Sequence, residues 1–379
     1  MDFNFTEEQI SLQDTLNRFI AKDYSFEDRR KRIASGDTFS EQTWNTLAEL
    51  GILALPFPEE LGGLNGTALD NYLVMKALAP GLLLEPYVST VILAGTLLQE
   101  AGTPEQKSAY IEEIAAGGAR YSFAHYEPNG RYQETFVSTT AQKDGNQWIL
   151  NGHKAAALDV QHADYIIVSA RTSGAHTDSE GISLFRLPKD TAGVTIKQYR
   201  THDGHNAADI IFSNTAVAAE TLIGQEGQAA NAIGHALAIT NAALTAEASG
   251  LIDALNKATL EYLKVRKQFG VPIGSFQALQ HRMAEMLIAA EQANSMALLA
   301  ATEMSNTDLK HRQTKSSGAK AYVGKLARQV AQEAVQMHGG IGVTDELNVA
   351  HFYKRVALIN MIFGDVDYHF DRYSNSLLS

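Results

Sequence analysis

Apolar positions in the first 120 or so residues recur at helical spacing. Ile10, Leu12, Leu16, Phe19 and Ile20 share one face of a helix that Thr6-Glu-Glu-Gln9 begins. There the Thr hydroxyl and the Gln amide form a capping box that satisfies the first free N–H groups. Further helices are expected over Glu41 to Leu50, Ala68 to Leu78 and Pro104 to Ala116, with breaks at Pro56-Phe-Pro58, Gly62-Gly63 and Gly102-Thr-Pro104. From about Tyr121 to Gly224 the pattern becomes short, β-rich and alternating. Its runs are Thr135 to Ala141, Gln147 to Leu150, Tyr165 to Ala170, Ile182 to Leu187, Val194 to Lys197 and Asp209 to Phe212, punctuated by turn signals at Asp144-Gly-Asn146 and Asn151-Gly152. The helical period then returns in long Ala- and Leu-rich segments at 228–265, 276–305 and 315–337. These patterns predict an α+β chain of three domains: an all-helical domain at 1–120, a β-barrel or sandwich at 121–226, and a four-helix bundle at 227–379.

Composition narrows the chemistry. The 379 residues are 45% hydrophobic and 20% charged, enough for a large core, and the net charge of −12 argues against a nucleic-acid partner. With no cysteine there is no disulfide framework, no thiolate nucleophile and no cysteine-held iron–sulfur cluster, so electron chemistry would need an organic cofactor. The first residues, Met1-Asp-Phe-Asn-Phe-Thr-Glu-Glu-Gln9, lack the basic-then-apolar order of a signal peptide, and no apolar run reaches membrane-spanning length. Cytoplasm is the expected location. No internal repeat, GxGxxG or GxxxxGK[ST] motif occurs. His338, His351 and His369 read as packing groups, because no metal-ligand spacing such as HExxH surrounds them, and no catalytic metal is expected.

One segment carries more specific information. Arg266-Lys-Gln-Phe-Gly-Val-Pro-Ile-Gly-Ser-Phe-Gln-Ala-Leu-Gln280 joins two long helical runs through an arginine, an aromatic and glutamines. Other motifs accompany it in order: Pro58-Glu-Glu-Leu-Gly-Gly63, Glu127-Pro128, Thr139-Thr-Ala141 with Asp144-Gly145, Leu150-Asn-Gly-His-Lys154, Gly181-Ile-Ser-Leu-Phe185 with Ala192-Gly-Val194, and Gln336-Met-His-Gly-Gly-Ile-Gly342. Over essentially its whole length the chain resembles the acyl-CoA dehydrogenases.

The resemblance implies FAD as cofactor, an acyl-CoA as substrate and an electron-transfer flavoprotein as electron acceptor. A carboxylate would take the α-proton while the β-hydride passes to flavin, giving the trans-2-enoyl-CoA. It assigns Arg266 to the flavin pyrophosphate, a group that suits a bidentate guanidinium. Phe269, Gln277, Gln336, Gly339 and Gly340 carry over as further cofactor contacts, donated in the family to the flavin of a neighbouring subunit; an oligomer is therefore implied. Without that context Arg266 would read as a helix-end charge and Gly339-Gly340 as a helix stop.

The departures from the family pattern bear on the base and on the flavin ring. The usual base, a Glu in a "Y-E-G-T" motif, falls on Gly364 when counted from Arg355. Asp365 follows it and has a second reading as the N-cap of the last helix. Some members carry the base on the first bundle helix, where the matching position is Thr240. Glu247 lies almost two turns further along the same face in an apolar context, where burial would raise its pKa toward a useful range. Glu247 is the first candidate base and Asp365 the second. The family's "K-x-W-I-T-N" becomes Lys154-Ala-Ala-Ala-Leu-Asp159, which replaces the flavin-covering Trp with Ala156 and the ring-bonding Thr with Leu158. Tyr126, in place of the Thr of "T-E-P", is a candidate to supply the missing surface. This combination resembles the branch acting on steroid side chains and dicarboxylic acyl-CoAs, and in particular the small subunit of a pimeloyl-CoA dehydrogenase type pair, where unlike chains form an α2β2 tetramer. The open alternatives are a flavin-poor, non-catalytic partner subunit and an oxidase or monooxygenase on the same fold.

Overall fold

The computed structural model describes residues 5–378. Residues 1–4 and 379, the extremes of the two expected outer domains and the first four residues of the segment read for a signal peptide, lie outside the described residues.

Eleven α-helices are present among the described residues: α1 Glu7–Asp23, α2 Phe26–Ser35, α3 Glu41–Glu49, α4 Ala68–Leu78, α5 Gly95–Ala101, α6 Pro104–Ala115, α7 Ala230–Val265, α8 Gln277–Glu303, α9 Leu309–His338, α10 Asn348–Ile359 and α11 Val366–Leu378. The Thr6 capping box forms as expected, with Gln9 N–H donating to Thr6 Oγ1 at 3.2 Å and Thr6 N–H donating to Gln9 Oε1 at 3.1 Å. Thr103 and Gln106 repeat the device at the start of α6. A π-helical stretch, Val88–Ala94, runs directly into α5.

Among the described residues the ten strands are β1 Tyr121–Ala124, β2 Thr140–Asp144, β3 Gln147–Leu158, β4 Tyr165–Arg171, β5 Ile182–Pro188, β6 Val194–Arg200, β7 Asn206–Ala218, β8 Leu222–Ile223, β9 Lys267–Gln268 and β10 Val271–Pro272. The first eight form one sheet in the order β6-β7-β3-β2-β4-β5-β8, with β1 parallel to β4. Trp148, Leu150, Ile166, Val168, Phe185, Leu187, Ala208 and Ile210 form its buried core. Trp148 and Phe185 meet edge to face at 5.3 Å.

The strand expected over Thr135 to Ala141 starts only at Thr140. A side chain diverts the preceding backbone: Ser138 N–H and Thr139 N–H both donate to the Glu127 carboxylate, at 2.8 and 2.9 Å, instead of to a neighbouring strand. Strands β3 and β7 run longer than their apolar alternation suggested, and β3 bulges between Leu150 and Gly152 and again between Lys154 and Ala157.

Packing groups the chain into two compact units, each discontinuous in sequence. One unit holds the described residues of Met1–Gly36, Ala68–Leu83 and Asn241–Ser379: α1, α2, α4 and the long helices of the C-terminal bundle. Within it Arg29, fully buried, donates to Leu82 O at 2.7 Å, and Lys76 reaches Asn294 Oδ1 at 2.8 Å. The other unit, Asp37–Thr67 with Leu84–Thr240, holds the eight-stranded sheet together with α3, the π stretch, α5 and α6. Among the described residues no helix is long and apolar enough to cross a membrane.

Candidate active site

The segment 266–280 is a projecting knob. The hairpin β9–β10 turns at Phe269 and Gly270, both with positive φ, 53° and 83°. A two-residue turn of that hand matches strand twist but is costly for an aromatic residue. Phe269 nevertheless sits there 92% exposed, with its ring against Phe276 at 6.3 Å. Arg266 is exposed, and its guanidinium makes no hydrogen bond or ion pair with any described residue. The exposed Gln277, at the start of α8, and Gln336, near the end of α9, likewise leave their side-chain amides without partners among the described residues.

These residues lie at one end of the helical unit. Tyr262 of α7 stacks on His338 of α9 at 4.4 Å. Arg266 follows Tyr262 by about 6 Å of helix rise, and Gly339 follows His338 directly. Gly339 has φ 65°, and a Cβ added there or at Gly340 would meet nothing within 4 Å, so the backbone of this loop is open to a ligand. An unspent cation, two unspent amides, an open glycine backbone and a presented aromatic form a donor set that fits an anionic, ring-bearing cofactor such as FAD.

The two candidate carboxylates lie elsewhere. Glu247, on the helix that ends one residue before Arg266, is about 28 Å from it along the axis. It is buried as expected, but it is not alone. Arg355 of α10 donates to its two oxygens at 2.6 and 2.8 Å, a bidentate pair in which both side chains are less than a tenth exposed. The buried carboxylate expected from sequence is therefore charge-compensated. The apolar neighbours of Glu247 could not reveal a partner 108 positions away.

Asp365 adopts its second reading. Its Oδ1 accepts Tyr368 N–H at 2.8 Å and caps α11. Its charge also acts on Lys320 of α9, which donates to Asn241 Oδ1 at 2.8 Å and to the Ile362 carbonyl. Burial pushes the Lys320 ammonium down to about 7, with Asp365 opposing that fall. Gly364, where the family motif places its Glu, has φ 125°, and a Cβ there would lie 2.5 Å from His369 Nε2 and 2.6 Å from the Tyr368 ring. The position is closed to any side chain as the chain is folded here.

In the sheet unit, Tyr126 is half-buried with its ring 5.0 Å from His125. Its carbonyl accepts Ala155 N–H at 2.8 Å, which places it beside the β3 bulge that carries Ala156. Lys154, fully buried at the edge of that bulge, donates to Glu127 Oε1 at 2.7 Å, His125 O at 3.0 Å and Ser169 Oγ at 3.1 Å. Burial alone would raise the Glu127 carboxyl; Lys154, Ser138 and Thr139 N–H outweigh it and hold the carboxyl well below the usual range. Glu127 and Lys154 belong to the quoted motifs, yet here they act as a buried anchor for the 126–139 loop rather than as exposed chemistry.

Comparison with known proteins shows the family of the chain. Residues 6–118, 122–215 and 230–378 match the N-terminal, middle and C-terminal domains of acyl-CoA dehydrogenase. The probable acyl-CoA dehydrogenase YngJ of Bacillus subtilis is 30% identical over 95% of both chains. Butyryl-CoA dehydrogenase from Megasphaera elsdenii superposes with a TM-score of 0.92 at 26% identity, covering all of both chains. The FAD complex of PigA superposes at 0.91 and 26%, covering 100% of this chain and 99% of that one. With all three domains matched in order, the chain belongs to the acyl-CoA dehydrogenase family.

Proposed function

We propose that this protein is an FAD-dependent acyl-CoA dehydrogenase that works in a tetramer with a paralogous chain, passing electrons to an electron-transfer flavoprotein. The observation that carries this reading is the exposed, unpartnered Arg266 on a knob that also presents Phe269 and Gln277. A guanidinium held away from every carboxylate of its own chain is available to a pyrophosphate. Val265, at the base of the knob, is 71% exposed, and Leu287 and Ile288, about 15 Å further along α8, are each 57% exposed, apolar surface of the kind a subunit contact covers. FAD, when bound, supplies the hydride acceptor for the β-carbon of the acyl group. This chain's contribution is binding: Arg266 and Gln277 hold the phosphates and amides of the cofactor, while the open Gly339-Gly340 backbone lets it approach closely.

Neither Glu247 nor Asp365 is free to act as the α-proton base as the chain is folded here, since one is salt-bridged and the other caps a helix. We therefore place the base on the paralogous subunit. This is the composite arrangement of the pimeloyl-CoA dehydrogenase type pair and of the steroid-side-chain branch, with this chain in the place of the small subunit. A bulky or dicarboxylic acyl group is the substrate class we assign.

The test is anaerobic addition of acyl-CoAs of graded length and ω-substitution to the chain alone and to the reconstituted pair, following loss of flavin absorbance. Bleaching by the pair, faster with dicarboxylic or polycyclic thioesters, supports the proposal. Bleaching by the chain alone would instead show a self-sufficient homo-oligomer.

A further inference from the structure

The sheet shows what stands where the family motif's Trp and Thr would face a flavin. At the second bulge of β3, between Lys154 and Ala157, Ala156 adopts φ 53°. A positive φ outside glycine is costly and persists only where neighbouring groups hold it. Here Ala156 N–H donates to Asp209 Oδ1 at 3.2 Å, and the Tyr199 hydroxyl donates to the same oxygen at 3.4 Å. Both donors meet on one carboxylate oxygen, so the tip of this tyrosine lies beside the bulge.

Strand register explains how it gets there. Tyr199 of β6 lies opposite Ala207 of β7, and Ala207 lies opposite Leu158 of β3. Directly opposed residues share a face, so Tyr199, Ala207 and Leu158 form one row across three strands. The other face of these strands carries core residues Ala157, Ala208 and Ile210. Two strand spacings amount to about 10 Å. A tyrosine crosses much of that distance because Ala207, between them, has only a methyl group. The ring is thus laid over β7, tied at its hydroxyl and 43% exposed.

We propose that Tyr199 is the aromatic platform for the flavin ring system in this chain, taking over from the indole that the family motif would place at 156. The proposal rests on the FAD reading above. Ala156 is the second half of the exchange: its exposed methyl puts no ring at the bulge, beside which the Tyr199 hydroxyl is tied. Tyr126 flanks the opposite side of the bulge and closes it through its carbonyl.

The test uses the protein as purified with its partner subunit, loaded with FAD, and compares wild type with Tyr199→Phe, Tyr199→Leu, Ala156→Trp and the double variant Ala156→Trp/Tyr199→Ala. The readouts are emission from bound flavin and FAD dissociation constant. Loss of one stacked aromatic corresponds to about 3- to 10-fold in affinity. Tyr199→Leu is expected to weaken FAD by that factor and to brighten the bound flavin, whereas Tyr199→Phe keeps the emission quenched. Ala156→Trp alone should lose FAD, and the double variant should regain it. If Tyr199→Leu binds FAD with wild-type affinity and quenching, Tyr199 is not the platform. If wild type itself takes up no FAD, alone or paired, the cofactor reading falls and this proposal with it.

Discussion

At the residue scale, buried charges separate binding chemistry from structural chemistry. Glu247 and Arg355 form an ion pair almost entirely removed from water. Breaking such a pair from one side leaves an uncompensated charge, so Glu247→Gln should lower unfolding free energy by about 3 kcal/mol. Once folded and paired, the variant should retain turnover within about tenfold of wild type, because removal of a true general base costs about 100-fold or more. A loss of that size, measured by single-turnover flavin reduction, would return Glu247 to the role of base.

Lys320 gives a pH-dependent test. Its folded pKa of about 7 lies below that of an unfolded lysine. Between those values the unfolded chain binds the extra proton, so stability rises with pH across the window and levels off above it. Between pH 7 and 9 urea unfolding should gain roughly 2 kcal/mol in wild type relative to Lys320→Met. Lys154, also lowered by burial, is common to both proteins and cancels. Parallel stability profiles would show that Lys320 stays charged in the fold. Neither partnership was legible in sequence, since Arg355 reaches Glu247 and Lys320 reaches Asn241 across separations of 108 and 79 residues.

At the element scale, helix starts were the most readable feature. Thr6 with Gln9 encodes its cap within four residues and the cap forms, and Thr103 with Gln106 carries the same signal where only a break and a following helix were expected. The strand that failed at Thr135 to Thr139 was read from alternation and β-rich content, while the Glu127 carboxylate decided the backbone's partners. The β3 bulge was likewise hidden, because Ala155 and Ala156 carry no turn chemistry of their own. The 266–280 knob was legible only through its motif; its exposure and its strained Phe269 are findings of the structure. Two substitutions there separate roles: Arg266→Ala should weaken FAD by about 10- to 100-fold, the worth of a charge-assisted bidentate contact. Phe269→Ser should leave monomer stability within about 0.5 kcal/mol, since the ring is exposed in the single chain. Wild-type FAD affinity in Arg266→Ala, measured by equilibrium dialysis, would remove the knob from the cofactor site.

At the scale of the whole molecule, the order of helices, strands and long helices was visible in the period of apolar positions, and matches to three successive family domains cover the same order. The grouping into two units was not visible, because it depends on α1, α2 and α4 packing with helices more than 160 residues later in the chain. The proposed composite site rests on two observations: Gly364 has no room for a side chain, and the Arg266 guanidinium is without a partner among the described residues. The most direct measurement is the visible absorbance of the purified protein, alone and with its paralogous partner, expressed as FAD per protomer. The account predicts little or no flavin on the isolated chain and stoichiometric FAD in the pair, lost again with Arg266→Ala. A colourless pair, or full flavin on the isolated chain, would contradict it.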